Sequence, residues 1–141
     1  MGRRKLLSAC VCGCAVILLA ACSAAHKQSS TADRATLVKQ AFNDVFSSKK
    51  SLNDRESSLE NGAAFASVLT SKSDGAMSAT VGAVTFSDAS HGAVSFALTA
   101  GSTHLPSIAG AAVLHGTSWQ VSASTMCVVL AATHQQSAAC S

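Results

Sequence analysis

Apolar residues recur with a helical period after residue 33 and with a strand period from residue 77 onward. In the first region a group of apolar side chains falls on one side of a helix, comprising Leu37, Val38, Ala41, Phe42, Val45 and Phe46. Polar side chains fall on the opposite side, comprising Lys39, Gln40, Asn43 and Asp44. This pattern predicts an amphipathic helix of about three to four turns with Asp33 as its N-cap.

Two shorter helical segments are predicted to follow. The run Ser51–Asp54 resembles a capping box, with Asp in place of the usual Glu, and would begin a short helix that stops at Asn61-Gly62. A further helical turn is indicated by apolar residues at i, i+3 and i+4. The apolar residues of the two segments are Leu52, Leu59, Phe65, Val68 and Leu69.

Alternation of apolar and polar residues then predicts four strands of an antiparallel meander. The apolar phase shifts by one residue near Gly82, so we expect a β-bulge there. The segment Gly101–Ser107 holds the only proline and is expected to be a loop, and His115–Thr117 a tight turn. The positions predicted to face inward are Val84, Phe86, Val94, Phe96, Leu98, Ile108, Ala112, Leu114, Trp119, Val121 and Ala123.

A last helix follows the meander and completes the predicted fold. Ser122 or Ser124 would cap it, and its buried stripe would comprise Met126, Val129, Leu130 and Thr133. One face of the meander is apolar, and the other carries Ser, Thr, Ala and Gln. The order predicts an α+β, cone-like domain in which N-terminal helices pack on a curved four-stranded antiparallel meander with a C-terminal helix.

The first residues of the chain predict export. Arg3, Arg4 and Lys5 precede sixteen uncharged residues, Leu6–Ala21, a pattern typical of a secretory signal peptide. As a helix this run would span about 24 Å, which is shorter than the bilayer core of about 30 Å. We therefore predict a signal peptide over 1–21, a flexible tether over 22–32 and a single domain over 33–141; an uncleaved membrane anchor is the alternative.

The tetrapeptide Leu19-Ala20-Ala21-Cys22 resembles the lipobox of bacterial lipoproteins. In those proteins the cysteine thiol receives a diacylglyceryl group and a dedicated peptidase cuts before it. Two or more acyl chains anchor a protein stably, whereas one chain binds only marginally. We expect Cys22 to be lipidated, with palmitate-type chains, and the protein to lie on the outer face of the cell membrane. The alternative is an ordinary thiol beside an ordinary cleavage site.

The distribution of charge limits the classes of function. The formal charge of +3 lies in the signal peptide, because seven basic and seven acidic side chains remain after residue 21. This balance excludes nucleic acid as a partner. No Asp, Glu, Lys or Arg follows Asp88, so the inward strand positions offer no group for acid–base catalysis. We therefore expect a non-enzymatic binding or structural module without a cofactor; an isomerase- or dehydratase-like enzyme on the same fold is the alternative.

Three aromatic residues, Phe86, Phe96 and Trp119, are the candidates for lining a pocket. Such a pocket would hold an apolar small ligand or dock an envelope protein. Packing of the same residues into an ordinary core is the competing interpretation.

Two further groups of residues carry candidate chemistry. Cys127 and Cys140 are expected to form a disulfide that closes a loop of about fourteen residues, since the chain is exported; the alternative is a core thiol and a free thiol in the tail.

Asp88, His91 and His115 fall in turns at one end of the meander. These three side chains could therefore converge, and a three-ligand metal site is the alternative. Their spacing matches no metal-ligand motif, so we interpret them as turn residues and expect no metal.

Three segments resemble the mycobacterial low-molecular-weight secreted-antigen family, whose domain is similar to the nuclear-transport-factor-like cone fold. They are Leu37–Phe46 with its Ala41-Phe42 centre, the strand pair formed by Phe86 and Val94–Phe96, and Gly116–Ser124, which reads Gly-Thr-Ser-Trp-Gln-Val-Ser-Ala-Ser. The resemblance covers residues 33–135. It implies an exported actinobacterial envelope protein whose family has no settled activity, and it supplies no catalytic residues.

Overall fold

The computed structural model describes residues 29–70 and 77–141, so the predicted signal peptide and Cys22 lie outside the described residues. Helices come first: α1 is Thr31–Phe46, α2 is Leu52–Ser57, and a 3₁₀ turn, Gly62–Phe65, leads into α3, Ala66–Thr70. The strands are β1 Met77–Phe86, β2 His91–Ala100, β3 Thr103–His115 and β4 Ser118–Val121. The chain ends with α4, Ala123–Ala132, and a 3₁₀ turn, Ala138–Cys140.

The four strands form one antiparallel sheet in the order β1-β2-β3-β4. The predicted α+β class is therefore confirmed, with helices before the meander and one after it. Within the described ranges, none of the helices combines the length and apolar character needed to cross a bilayer. The expected bulge near Gly82 is also confirmed, since the pairing of β1 with β2 shifts between Val81 and Val84.

Helix α1 begins three residues earlier than predicted. Ser30, not Asp33, is the N-cap, and its side chain accepts a hydrogen bond from the Asp33 amide at 3.1 Å. The Asp33 carboxylate accepts in return from the Ser30 amide at 3.2 Å, which completes a capping box. Aspartate is favourable both at the N-cap and in the first turn, so the sequence did not separate the two positions. Thr31 and Ala32, predicted as tether, therefore belong to the helix.

The core forms where α1 packs on the sheet. Phe42 and Phe46 project from α1 onto Phe96 of β2, with ring centroids 5.0 and 5.6 Å apart. All three rings are buried, and burial of apolar area is the main stabilising contribution to such a fold. The largest fully buried side chains around them are Leu59, Phe65, Leu98, Val38, Val45 and Val121.

The prediction of a loop over Gly101–Ser107 was wrong. Only Gly101 and Ser102 form the turn, and β3 begins at Thr103. The pairing of β2 with β3 shifts between Phe96 and Leu98, which places Pro106 at an irregularity of the ladder. A proline lacks the amide hydrogen of a regular strand and is tolerated at such a bulge.

Two predicted boundaries near β4 also differ from the structure. Helix α2 ends at Ser57, and Leu59, predicted within it, instead forms a parallel bridge with Val121. The Val121 amide donates to the Ser58 carbonyl at 2.8 Å, so this segment covers the outer edge of β4. Ala123, predicted in the last strand, is the first residue of α4, because the Ser122 side chain caps that helix.

Candidate functional site

The three aromatic residues predicted to line a pocket belong to two separate groups in the structure. Phe96 lies among the rings of α1 and is 2 % exposed, so it packs into the core. Phe86 and Trp119 form a second pair, with ring centroids 5.4 Å apart and planes tilted by 58°. The space beside Phe96 is thus occupied by Phe42 and Phe46 of α1.

Arg34 in the first turn of α1 covers the second aromatic pair. Its guanidinium carbon lies 4.0 Å from the centroid of the Phe86 ring and 5.6 Å from that of Trp119. Its Nη2 donates to the carbonyl oxygen of Asp88 at 2.5 Å. Its Nε is buried and has no hydrogen-bond partner among the residues that the structure describes. This arrangement was missed at the sequence level, because no local pattern relates Arg34 to rings more than fifty residues away.

The turn between β1 and β2 is organised by the carboxylate of Asp88. One carboxylate oxygen accepts from the backbone amides of Ser90, at 2.7 Å, and His91, at 2.9 Å. The other lies 2.9 Å from Nδ1 of His91. The backbone hydrogen bond from Ser90 and the side-chain bond with His91 hold the pKa of Asp88 well below its usual range.

His115 ends β3 at the same end of the sheet, where the Leu114 amide donates to the Ser90 carbonyl at 2.8 Å. Asp88 and His91 are brought together as the sequence suggested, whereas His115 lines a separate groove. Over residues 29–70 and 77–141, no group of three or more His, Cys, Asp or Glu side chains has an arrangement that would hold a metal ion.

Cys127 and Cys140 are bonded to each other in the structure. Their Cα atoms are 5.6 Å apart, and the bond joins α4 to the final 3₁₀ turn. Ala139, between the two ends of this link, packs against the hydrophobic core. The disulfide therefore fixes the end of the chain against the body of the domain.

A surface groove of about 740 Å³ lies between residues 56–65 and the beginning of α4. We call it the glutamate groove. Its polar lining residues are Glu56, Glu60, Asn61, His115 and Gln120. Its apolar lining comes from Leu59, Phe65 and the alanines at 63, 64, 123 and 139. The sequence had not indicated this groove, although the chain's only two glutamates stand four residues apart in it.

The backbone around Gly62 shapes one wall of the glutamate groove. Asn61 adopts a left-handed conformation with φ of 53°, and Gly62 follows in close contact with α2. A Cβ atom at Gly62 would overlap the carbonyl oxygen of Glu56, so only glycine fits this approach. This tight turn thereby places Glu56 and Glu60 on the lining of the glutamate groove.

Hydrogen bonds across the fold hold the groove's other wall. The Ala123 amide, at the beginning of α4, donates to Oε2 of Glu60 at 2.9 Å. Nε2 of Gln120 donates to the Ser57 carbonyl, also at 2.9 Å. A carboxylate at the beginning of a helix is favoured by the exposed amides and the helix dipole. The Glu60 carboxylate and the Gln120 side-chain amide are therefore held in position by the fold itself.

The fold and these features define a small, disulfide-closed α+β domain with helices on an antiparallel meander. The family model of the low molecular weight antigen MTB12, C-terminal domain, matches residues 30–137, and the chain belongs to this family of secreted antigens. The match confirms the resemblance seen in the sequence and begins at Ser30, the N-cap of α1. Searches of curated proteins and of solved structures returned no match.

Proposed function

We propose that the protein is an exported lipoprotein, anchored at the outer face of the cell membrane through acyl chains on Cys22. The observation that carries the proposal is the run Leu19-Ala20-Ala21-Cys22 at the end of an uncharged segment. Membership of a secreted-antigen family supports export. The basic residues Arg3–Lys5 ahead of that segment support the same route.

The distance between Cys22 and the domain supports a role close to the membrane. Helix α1 is capped by Ser30, which leaves a connection of eight residue steps from Cys22. Fully extended, this connection spans at most roughly 28 Å. A lipid on Cys22 would therefore keep the domain within about one domain diameter of the bilayer surface.

We further propose that the domain acts as a binding or structural module without catalysis. Among the residues that the structure describes, the buried polar side chains are those of Ser122 and Thr125. Both are used within the fold: Ser122 caps α4, and Oγ1 of Thr125 accepts from the Ala111 amide at 2.7 Å. The titratable side chains of Glu56, Glu60 and His115 lie in the open glutamate groove, a position that suits recognition at the surface.

The anchoring proposal is tested on the protein expressed in a bacterium with a lipoprotein pathway. We expect mass spectrometry of the N-terminal peptide to find Cys22 as the first residue with an acyl mass attached. Cys22→Ala should move the protein from the membrane fraction to the soluble or unprocessed fraction. Ser23→Ala, a change of similar size beside it, should leave the protein in the membrane. Wild-type protein without an acyl mass on Cys22 would refute the proposal.

A further inference from the structure

We propose that the glutamate groove binds a small organic cation, namely an aliphatic amine or diamine in its ammonium form. This inference rests on the proposed binding role of the domain and specifies its ligand class. It replaces the apolar ligand expected from Phe86, Phe96 and Trp119, because Phe96 packs into the core and Arg34 covers the other two rings.

The groove carries negative charge that the described part of the chain does not neutralise. Glu56 and Glu60 both line it, and the lining holds no lysine or arginine. Neither glutamate forms a salt bridge within residues 29–70 and 77–141. Arg55, the neighbour of Glu56 in the sequence, is directed elsewhere: its Nε donates to the Val45 carbonyl at 2.9 Å and its Nη1 to the Leu69 carbonyl at 2.6 Å.

Free hydrogen-bond acceptors in the groove include oxygens of Glu60 and Gln120, beside the side chains of Asn61 and His115, which can also donate. Glu60 uses Oε2 for the Ala123 amide, which leaves its Oε1 available. Gln120 uses Nε2 for the Ser57 carbonyl, which leaves its amide oxygen available. An ammonium group has three donors and no acceptor, so it matches the carboxylate and amide oxygens, whereas a carboxylate or phosphate would meet the like charge of Glu56 and Glu60.

The size and apolar part of the groove favour an aliphatic carrier for the ammonium group. A volume of about 740 Å³ lies within the range of about 300–1,000 Å³ that is common for small-ligand sites. Ala63, Ala64 and Ala139 provide small apolar walls for a short methylene chain. The disulfide to Cys140 holds Ala139 in place, so this wall is preformed.

Titration of the exported full chain, purified in mild detergent, with 1,5-diaminopentane at pH 7 tests the proposal. We expect saturable binding in calorimetry and amide shifts in NMR spectra that concentrate in residues 56–65, 120, 123 and 139. The neutral analogue 1,5-pentanediol and the dianion pentanedioate should bind at least about tenfold more weakly, because they lack the ammonium charges. Equal binding of the diol, or shifts confined to another surface, would overturn the proposal.

Two isosteric variants test whether the negative charges of Glu56 and Glu60 bind the diamine. Glu56→Gln and Glu60→Gln should each weaken diamine binding by about fivefold, and the glutamine at 60 keeps an oxygen for the Ala123 amide. Asp54→Asn serves as the matched control, since Asp54 lies in α2 outside the groove, and should retain affinity within about twofold. Unchanged affinity in both glutamate variants would refute the assignment.

A lysine-containing peptide distinguishes a free amine from a protein partner. If a short peptide with one lysine binds at least about tenfold more tightly than the diamine, the small-molecule proposal is overturned in favour of a protein ligand. Lipid anchoring is measured independently of ligand binding, by the acyl mass on Cys22. Acylated protein that binds no diamine would refute the ligand class alone, and unacylated protein that binds it would refute the anchor alone.

Discussion

The guanidinium carbon of Arg34 lies 4.0 Å from the centroid of the Phe86 ring, close enough for a cation–π interaction. Arg34 stands in the first turn of α1, and Phe86 is the last residue of β1. The same guanidinium donates to the carbonyl of Asp88 in the following turn. This contact therefore joins the beginning of the first helix to one end of the sheet.

A double-mutant cycle between Arg34→Met and Phe86→Leu should give a favourable coupling free energy of about 1 kcal/mol. The cycle isolates the contact because the loss of each side chain's other interactions cancels. Urea unfolding of the oxidised protein, followed by fluorescence of Trp119, supplies the four free energies. Lys39→Met paired with Phe86→Leu is the control, since Lys39 is exposed on the same helix, and should show no coupling. Coupling of equal size in both cycles would contradict the assigned contact.

Glycine is required at Gly62 because there is no space for a side chain, and it is favoured at Gly116 because of the backbone conformation; alanine substitutions distinguish the two causes. Gly62→Ala should lower the free energy of unfolding by about 3 kcal/mol or more, because its Cβ would overlap backbone atoms of Glu56. Gly116→Ala should cost only about 1 kcal/mol, since φ is +61° but no atom lies within 4 Å of the added carbon. Urea unfolding of both variants at the same pH shows which substitution lowers the free energy of unfolding more. Equal or reversed costs would contradict the close approach at Gly62.

Period and capping signals predicted the elements of this fold, but not all of their boundaries. The alternation that ends at Phe86 and the phase shift near Gly82 are local properties, and both were correct. Pro106 was assigned to a loop because the sequence does not show that a bulge opposite Ala97 accommodates it. Ser30 was missed as the cap because Asp33 satisfies the same local rule.

The glutamate groove depends on contacts that no local pattern reveals. Its walls meet through the bridge of Leu59 with Val121 and the hydrogen bond of Glu60 with Ala123, which joins residues 63 positions apart. The sequence signals available were the two isolated glutamates and the Asn61-Gly62 turn that follows them. Acidic residues spaced four apart in a predicted helix ordinarily indicate only a solvated face, and α2 in fact ends at Ser57, before Glu60. The two glutamates therefore indicated a groove only once the tertiary contacts were known.

Asp88 should titrate at a lower pH than an ordinary aspartate. Hydrogen bonds from the Ser90 amide and the His91 side chain favour its charged form and lower its pKa. The resulting stabilisation is present above the unfolded-state pKa of about 3.9 and is lost as the pH falls below it. A carboxyl-carbon NMR titration measures the pKa directly.

A histidine substitution tests the cause of that shift. His91→Ala should raise the pKa of Asp88 towards its ordinary value but leave part of the shift, because the Ser90 amide still donates. His104→Ala, at the other end of the sheet, should leave the Asp88 titration unchanged. A midpoint for Asp88 at the ordinary aspartate value in the wild-type protein would contradict the turn geometry.

Removal of the disulfide should destabilise the domain by about 3 kcal/mol. The bond spans 13 residues in sequence, and closing a loop of this length restricts the unfolded chain by about that free energy in the entropic model. We expect Cys127→Ala with Cys140→Ala to lower the urea midpoint, and reductant to lower the wild-type midpoint to the same value. Reductant should leave the double variant unchanged. In the unreduced wild-type protein, alkylation followed by peptide mapping should label neither cysteine, and labelling of either would contradict the bond.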